Sequence, residues 1–463
     1  MTAVALPPRV MVSAPASGSG KTVVTCAIVR LLQRAGMMPA AFKCGPDFID
    51  QLFHREVTGT AAGNLDAFFS DVHALRALMA RGAAGKDIAV VEGAMGFYDG
   101  MAPGTTDGSA YDVARATGTP VVLVVPARGA STSLAATVQG FCRFRPDANV
   151  RGVILNGCSA HACAYATEAI ERECGVAVLG YVPRDDAFAL ESRHLGLVTA
   201  DEVSGLRARL DAMADILADT LDLERLVGIA RAAQPISVEP YRTAPERAAA
   251  PRIAVTRDEA CCFWYAENLR MLQDLGAELV PFSPLHDAAL PAGIDGVYLC
   301  GGYPELHARQ LAENRALREQ IRDALADGMP CVAECGGFLY LLEHLEDEAG
   351  VSWPMVGALA GSSRRGRGLE HFGYIELTVD RDGIYGSAGT VLRGHEFHYW
   401  RADEEGSDAT ARKPRRDRSW PCLVHTPSLA AGFPHVYYPS NPDAARAFVR
   451  ACEQYGKQGV HAG

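Results

Sequence analysis

Two stretches of the chain carry reactive residues at a point where a strand hands over to a helix. The first is APASGSGKT, residues 14 to 22. A loop that cradles phosphate needs glycines so that its N–H groups can turn inward. It also needs a lysine for the β- and γ-phosphates and a Ser or Thr hydroxyl for Mg2+. Gly18, Ser19, Gly20, Lys21 and Thr22 meet these needs, with Pro15 standing where the strict pattern has its first glycine. The expected ligands are ATP and Mg2+. The second stretch is AECGGFLYL, residues 333 to 341. A tight turn flanked by glycine projects a thiol above a sheet, and the N-terminus of a following helix favours thiolate over thiol. Cys335 is therefore the expected nucleophile.

Each site needs further groups. Two acidic segments follow strand-like runs in the first half: KCGPDFID, residues 43 to 50, and VEGAMGFYDG, residues 91 to 100. Acids at the carboxyl ends of parallel strands can hold Mg2+ and orient a substrate beside a γ-phosphate. Glu92 occupies the position of a Walker-B acid. Asp47, Asp50 and Asp99 are candidates for metal, γ-phosphate or substrate contacts, and turn chemistry is the alternative role for each. Thr22, Asp47 and Glu92 form the expected metal set. A cysteine nucleophile needs a base, and GFPHVYY, residues 432 to 438, offers His435 among thirteen histidines. A Cys-His-Glu glutaminase carries its acid two residues after the histidine, where this chain has Tyr437. Residues 299 to 305, LCGGYPE, read as a strand and a glycine turn whose N–H groups can form an oxyanion hole.

The elements that position these residues are legible as short runs. Residues 9–13, 88–91, 121–125 and 153–155 read as buried strands. Helical spacing covers 21–35 and 129–141. This alternation predicts an α/β fold with a doubly wound, mostly parallel sheet. Residues 240–251, PYRTAPERAAAP, lack an apolar period and read as a linker between a domain at 1–239 and another at 252–463. The second domain starts afresh with strands at 253–255, 279–282, 297–300 and 331–333 and a helix at 263–275. GSSRRGRG, residues 361 to 368, reads as a mobile basic loop, and residues 412–418 as a solvated one.

Bulk composition excludes several classes. Apolar residues make up 48% and charged residues 21%, with a net charge of −11, so nucleic acid and anionic membranes are poor partners. No apolar run reaches the length of a membrane span. Thirteen cysteines, an odd number without paired CxxC spacing, suit reduced thiols and a cytoplasmic protein.

Taken together, these stretches resemble the cobyrinic acid and hydrogenobyrinic acid a,c-diamide synthases of corrinoid biosynthesis. The resemblance spans nearly the whole chain, through APASGSGKT, KCGPDFID, NLD, EGAMGFYDG, ESRHLGL, ENLRML, GAELVPFSPL, CGGYPEL, AECGGFLYL, GLEHFGY and RGHEFHY in order. Gln51 and Pro126 depart from the residues common in the family. The resemblance implies an N-terminal domain similar to dethiobiotin synthetase and a class I-like glutamine amidotransferase that lacks the third triad acid. It carries the nucleophile onto Cys335 and the general base onto His435. It carries metal, phosphate or substrate roles onto Asp47, Asp50, Glu92 and Asp99. The implied substrates are a polycarboxylate corrinoid macrocycle, L-glutamine and ATP, with an acyl-phosphate intermediate. Arg193, His194, the 361–368 arginines, Glu370, His371, His395, His398 and Trp400 are offered as macrocycle contacts. Relatives of the N-terminal fold often dimerise, so a homodimer is the partner state to test. Competing expectations are a cobyric acid synthase, a nickel sirohydrochlorin amidase, and a non-catalytic partitioning-type P-loop ATPase.

Overall fold

The structure is a computed structural model that describes residues 3–48, 54–55, 58–60, 62–188, 200–239 and 250–459. Asp50, the 191–197 motif with Arg193 and His194, and most of the expected linker lie outside the described residues. The chain divides into two compact units, Met1–Tyr241 and Arg242–Gly463.

In the first unit, β1 (Val4–Ala5) pairs antiparallel with the last strand, Ser237–Val238. The main strands are β2 (Arg9–Ser13), β3 (Pro39–Cys44), β4 (Ala62–Leu65), β5 (Ile88–Glu92), β6 (Val121–Pro126), β7 (Val150–Asn156) and β8 (Ala177–Val182). They form one parallel sheet in the order β4-β3-β5-β2-β6-β7-β8. Helices Lys21–Arg34, Val72–Gly82, Ala110–Thr117, Ser133–Arg143 and Ala160–Cys174 carry the chain between successive strands, the crossover connections that a parallel sheet requires. Strands buried on both faces read as unbroken apolar runs, and β6 is VVLVV ahead of its exposed Pro126. Val10, Val12, Val24, Ile28, Val90, Val122, Val124 and Ile154 share one core between this sheet and the Lys21–Arg34 helix. The helix expected at 129–141 spans Ser133–Arg143 instead, because Gly129 takes a left-handed turn at φ 70°.

The second unit restarts the pattern. Ser237–Val238, the last strand of the first unit, is β9, and β10 (Arg252–Thr256) opens the sheet of the second unit. β11 (Glu278–Phe282), β12 (Gly296–Leu299), β13 (Cys331–Glu334), β20 (Val424–His425) and β21 (Leu429–Gly432) complete it in the order β11-β10-β12-β13-β21-β20. All of its pairs are parallel except β20 with β21. A second sheet is antiparallel for most of its length. It holds β14 (His344–Glu346), β15 (Ser352–Pro354), β16 (Ser362–Val379), β17 (Val391–Ala402), β18 (Ala409–Arg412), β19 (Ser419–Cys422) and β22 (His435–Val436).

Two loop expectations are corrected here. Residues 362–368 are part of β16, with Arg364 opposite Arg401 and Arg365 opposite Trp400. Cross-strand contacts override the Gly- and Arg-rich composition: Arg364 pairs with Asp403 at 2.5 Å, and the Arg365 guanidinium lies over the Trp400 ring at 5.8 Å. Within 412–418, Lys413 is buried at 8% exposure, its ammonium donating to the carbonyls of His371, Phe372 and Gly373.

Candidate functional site

The phosphate loop leaves the carboxyl end of β2 and enters the Lys21–Arg34 helix at Gly20. Gly18 and Gly20 adopt φ of 75° and 85°, the left-handed region that favours glycine. A Cβ on Gly20 would lie 2.5 Å from Asn156 Nδ2, whose amide donates to the Ser19 carbonyl at 2.9 Å. Asn156, at the end of β7, thus ties the loop to the sheet, a role no motif announced. Lys21 is buried and donates to the Ala16 carbonyl across the loop at 3.1 Å.

Glu92 ends β5 directly opposite Lys43 of β3. This register brings Lys43 Nζ to 2.7 Å from Glu92 Oε1, which also accepts from the Thr22 hydroxyl at 2.5 Å. His54 Nε2 lies 2.9 Å from Glu92 Oε2, and its Nδ1 3.5 Å from Cys26 Sγ. Burial works against the Glu92 charge, yet Lys43 and His54 hold its carboxyl below the ordinary carboxylate range. Burial likewise opposes charge on His54, and Cys26 and Glu92 raise it well above the ordinary imidazole value. Lys43 and His54 were missed in sequence. Lys43 stood inside a quoted motif, but only strand pairing assigns its partner.

The remaining acids differ in setting. Asp47 is half-buried, and its carbonyl accepts from Asn64 Nδ2 at 3.0 Å, as does that of Gly45 at 2.8 Å. Asp66 accepts from the N–H groups of Phe68 and Phe69 at 2.8 and 2.9 Å. The NLD motif therefore pins the loop that carries Asp47. Asp99 is exposed and accepts from the Gly96 N–H at 2.9 Å. The donor chemistry fits Mg2+: the Thr22 hydroxyl and Glu92 carboxylate are hard oxygen donors in contact, and Mg2+ keeps waters and phosphates for its other positions. Among the described residues, no three His, Cys, Asp or Glu side chains converge on a single metal position.

In the second unit, β13 ends at Glu334 and Cys335 follows with φ 47° and ψ −104° before the Gly336–Leu341 helix. A non-glycine residue held at positive φ costs roughly 1–3 kcal/mol and persists only where its surroundings demand it. Here the Cys335 N–H donates to the Gly432 carbonyl at 2.7 Å, prolonging the β13–β21 ladder by one bond. Its thiol donates to the Phe397 carbonyl at 3.9 Å. Burial opposes the pull of the helix N-terminus toward thiolate. Burial pushes the Cys335 thiol far up, Glu305 and Glu396 add to that, and the opposing Gly336 N–H is too weak to reverse it.

His435 lies three residues beyond β21, in β22, opposite His395 of β17. Its ring is 2% exposed and stacks on His395 at 4.9 Å and 14°. A Cβ on Gly301 would fall 2.3 Å from His435 Cε1, so only glycine lets the ring sit there. The nitrogen of Gly302 lies 2.9 Å from where a Cβ on Gly336 would be, which packs the 301–302 turn against the cysteine elbow. Asn268, fully buried, donates to the Val436 carbonyl and accepts from the Tyr438 N–H, both at 2.8 Å. This amide clamp fixes the backbone on both sides of Tyr437 and explains the asparagine in ENLRML. Strand pairing thus brings Cys335 and His435 to the same end of one unit.

The residues offered as macrocycle contacts in this unit are engaged internally. His395 and Trp400 are buried; Tyr265 Oη lies 2.8 Å from His395 Nδ1, and Trp400 Nε1 donates to the Glu346 carbonyl at 2.8 Å. His398 stacks on Phe433 at 3.6 Å, His371 stacks on Trp420 at 4.1 Å, and Glu370 pairs with Arg401. No described helix is long and apolar enough to cross a membrane.

Comparison with known proteins gives two matched regions. Residues 252–421 match a model described as a CobB/CobQ-like glutamine amidotransferase domain, and residues 57–192 match an AAA domain model. A protein of Listeria monocytogenes serotype 4b (strain F2365) named cobyrinate a,c-diamide synthase is 40% identical over 393 residues, covering 84% of this chain and 86% of its own. Proteins of the same name from Dehalococcoides mccartyi (strain CBDB1) and Salmonella typhimurium (strain LT2) are 36% and 37% identical. The first covers 97% of this chain and 99% of its own; the second covers 95% and 96%.

Proposed function

This chain belongs to the cobyrinate a,c-diamide synthase family, and we propose that it converts the a and c acetate carboxylates of cobyrinic or hydrogenobyrinic acid to amides with nitrogen from glutamine. It is an amide-forming ligase with a P-loop unit and a glutamine amidotransferase unit. The single observation that carries the reading is the cysteine elbow: a buried Cys335 at φ 47°, hydrogen-bonded to the strand that leads into His435.

Two half-reactions follow. Cys335 passes its proton to His435 as its sulfur attacks the glutamine side-chain carbonyl. The N–H groups of the 301–302 turn stabilise the oxyanion. Ammonia leaves with a proton from His435, and water hydrolyses the glutamyl thioester to glutamate and thiol. The high resting position of the Cys335 thiol supports a base-assisted attack over a standing thiolate.

In the P-loop unit, a substrate carboxylate attacks the γ-phosphorus of ATP and ADP leaves. Ammonia then displaces phosphate from the acyl phosphate. A carboxylate is a poor acyl donor because oxide would have to leave; phosphorylation supplies a better leaving group. Lys21 neutralises charge on the transferring phosphoryl group. Thr22, Glu92 and Asp47 are the residues that would hold Mg2+, which when bound offsets the negative charge of the phosphates. Two rounds give the a,c-diamide.

The test is ADP release measured with glutamine and each macrocycle separately. The expected result is ADP formation that needs both glutamine and a cobyrinic or hydrogenobyrinic acid, two ADP per diamide. ADP release independent of any macrocycle would overturn the proposal.

A further inference from the structure

Resting on the reading that Cys335 and His435 are a glutaminase pair, we infer that Glu334 is the acid that orients His435, in place of one two residues downstream. That downstream position is Tyr437, which is 1% exposed, bonds through its N–H to the Arg393 carbonyl and packs edge-on against Tyr265. Glu334 is the residue immediately before the nucleophile. Its carboxylate is 2% exposed, with Oε2 3.8 Å from His435 Nδ1.

The carboxylate is fixed independently of the histidine. Oε1 accepts from the Val436 N–H at 3.1 Å, and Oε2 accepts from the Tyr298 hydroxyl at 3.1 Å. One anchor comes from β22, which carries His435, and the other from β12, which leads into the Gly301–Gly302 turn. The ring is fixed as well, by the His395 stack on one side and the close approach of Gly301. Glu334 therefore addresses Nδ1. A carboxylate there favours the tautomer protonated at Nδ1 and leaves Nε2 as the base. The 3.8 Å separation is an ion-pair distance, longer than a hydrogen bond. Its attraction develops in full when His435 takes the Cys335 proton, because both partners are buried. Glu334 ends β13 one residue before the nucleophile, and its bond from the Val436 N–H ties that strand end to β22 of the second sheet, which carries His435.

Glu334 is a positioning residue, so the test must separate orientation from folding. Glutamine hydrolysis is measured with ATP, Mg2+ and cobyrinic acid for wild type, Glu334→Gln, Glu334→Asp and Tyr298→Phe. Ammonium-supported synthesis by each protein reports folding. Glu334→Gln is expected to lower kcat for glutamine by about 10²- to 10⁴-fold with KM little changed. Glu334→Asp should recover part of that loss. Tyr298→Phe, which removes an anchor but keeps the carboxylate, should lose far less. Nitrogen NMR of the His435 ring should show an Nδ1-protonated tautomer that is lost in Glu334→Gln. A Glu334→Gln enzyme with kcat within about twofold of wild type overturns the inference, as does Tyr298→Phe matching its loss. If Cys335→Ala still uses glutamine, the underlying glutaminase reading fails instead.

Discussion

At Gly20 and at Cys335 the chain leaves a buried parallel strand and enters a helix through positive φ, 85° in one case and 47° in the other. The first position bears no side chain, which suits the N–H groups it would present to a phosphate under the proposed function. The second bears a side chain, the sulfur of the proposed nucleophile, and so takes on the backbone cost that glycine avoids. The surroundings diverge in the same way. Around Gly20, the side chains of Lys43, His54 and Glu92 form a buried, paired charge cluster. Around Cys335, burial pushes the thiol upward, and Glu334 Oε2 lies 3.8 Å from His435 Nδ1. On the proposed reading, one strand-turn-helix device serves electrostatic binding or nucleophilic attack according to the residue at the turn and the charges buried beside it.

Substitutions sharpen the contrast by the nitrogen donor they affect. Glu92→Gln should lower synthesis by about 10³-fold with glutamine and ammonium alike, measured as ADP and amide formation. Full activity would remove Glu92 from the phosphate site. Gly301→Ala places a methyl group 2.3 Å from His435 Cε1, so the ring must move. It should lower glutamine-dependent turnover about 10²-fold and spare ammonium-dependent turnover. Lys43→Met breaks a buried pair and should destabilise the P-loop unit by about 3 kcal/mol in urea unfolding.

A smaller effect is set by pH. Burial pushes the thiols of Cys44, Cys331 and Cys335 above their ordinary range. Below the ordinary thiol value, about 8.5, both folded and unfolded chains keep these protons. Above it the unfolded chain releases them and the folded chain does not, so stability falls as pH rises further. Under reducing conditions, the urea midpoint should be lower at about pH 9.5 than at about pH 7.5. An equal or higher midpoint would contradict the burial assigned to these thiols.

Much of this was legible in sequence because the signals were local. APASGSGKT and AECGG each encode their own turn, and the short apolar runs encode buried strands within three residues of the observed limits. What escaped depends on pairing between distant segments. Lys43 meets Glu92 only through the register of β3 and β5, and Asn156 meets Ser19 only because β7 lies two strands from β2. Glu334 stood in plain view beside Cys335, but its neighbour across space, His435, is about a hundred residues away in sequence. The 361–368 segment misled for the converse reason: glycine and arginine suggested a loop, and cross-strand partners made a strand.

The division of labour between the two sites is tested most directly by one pair of rates in the Cys335→Ala protein: amide formation with glutamine and amide formation with ammonium. The first should fall to background and the second should stay near wild type. Equal loss of both, or survival of the first, would contradict it.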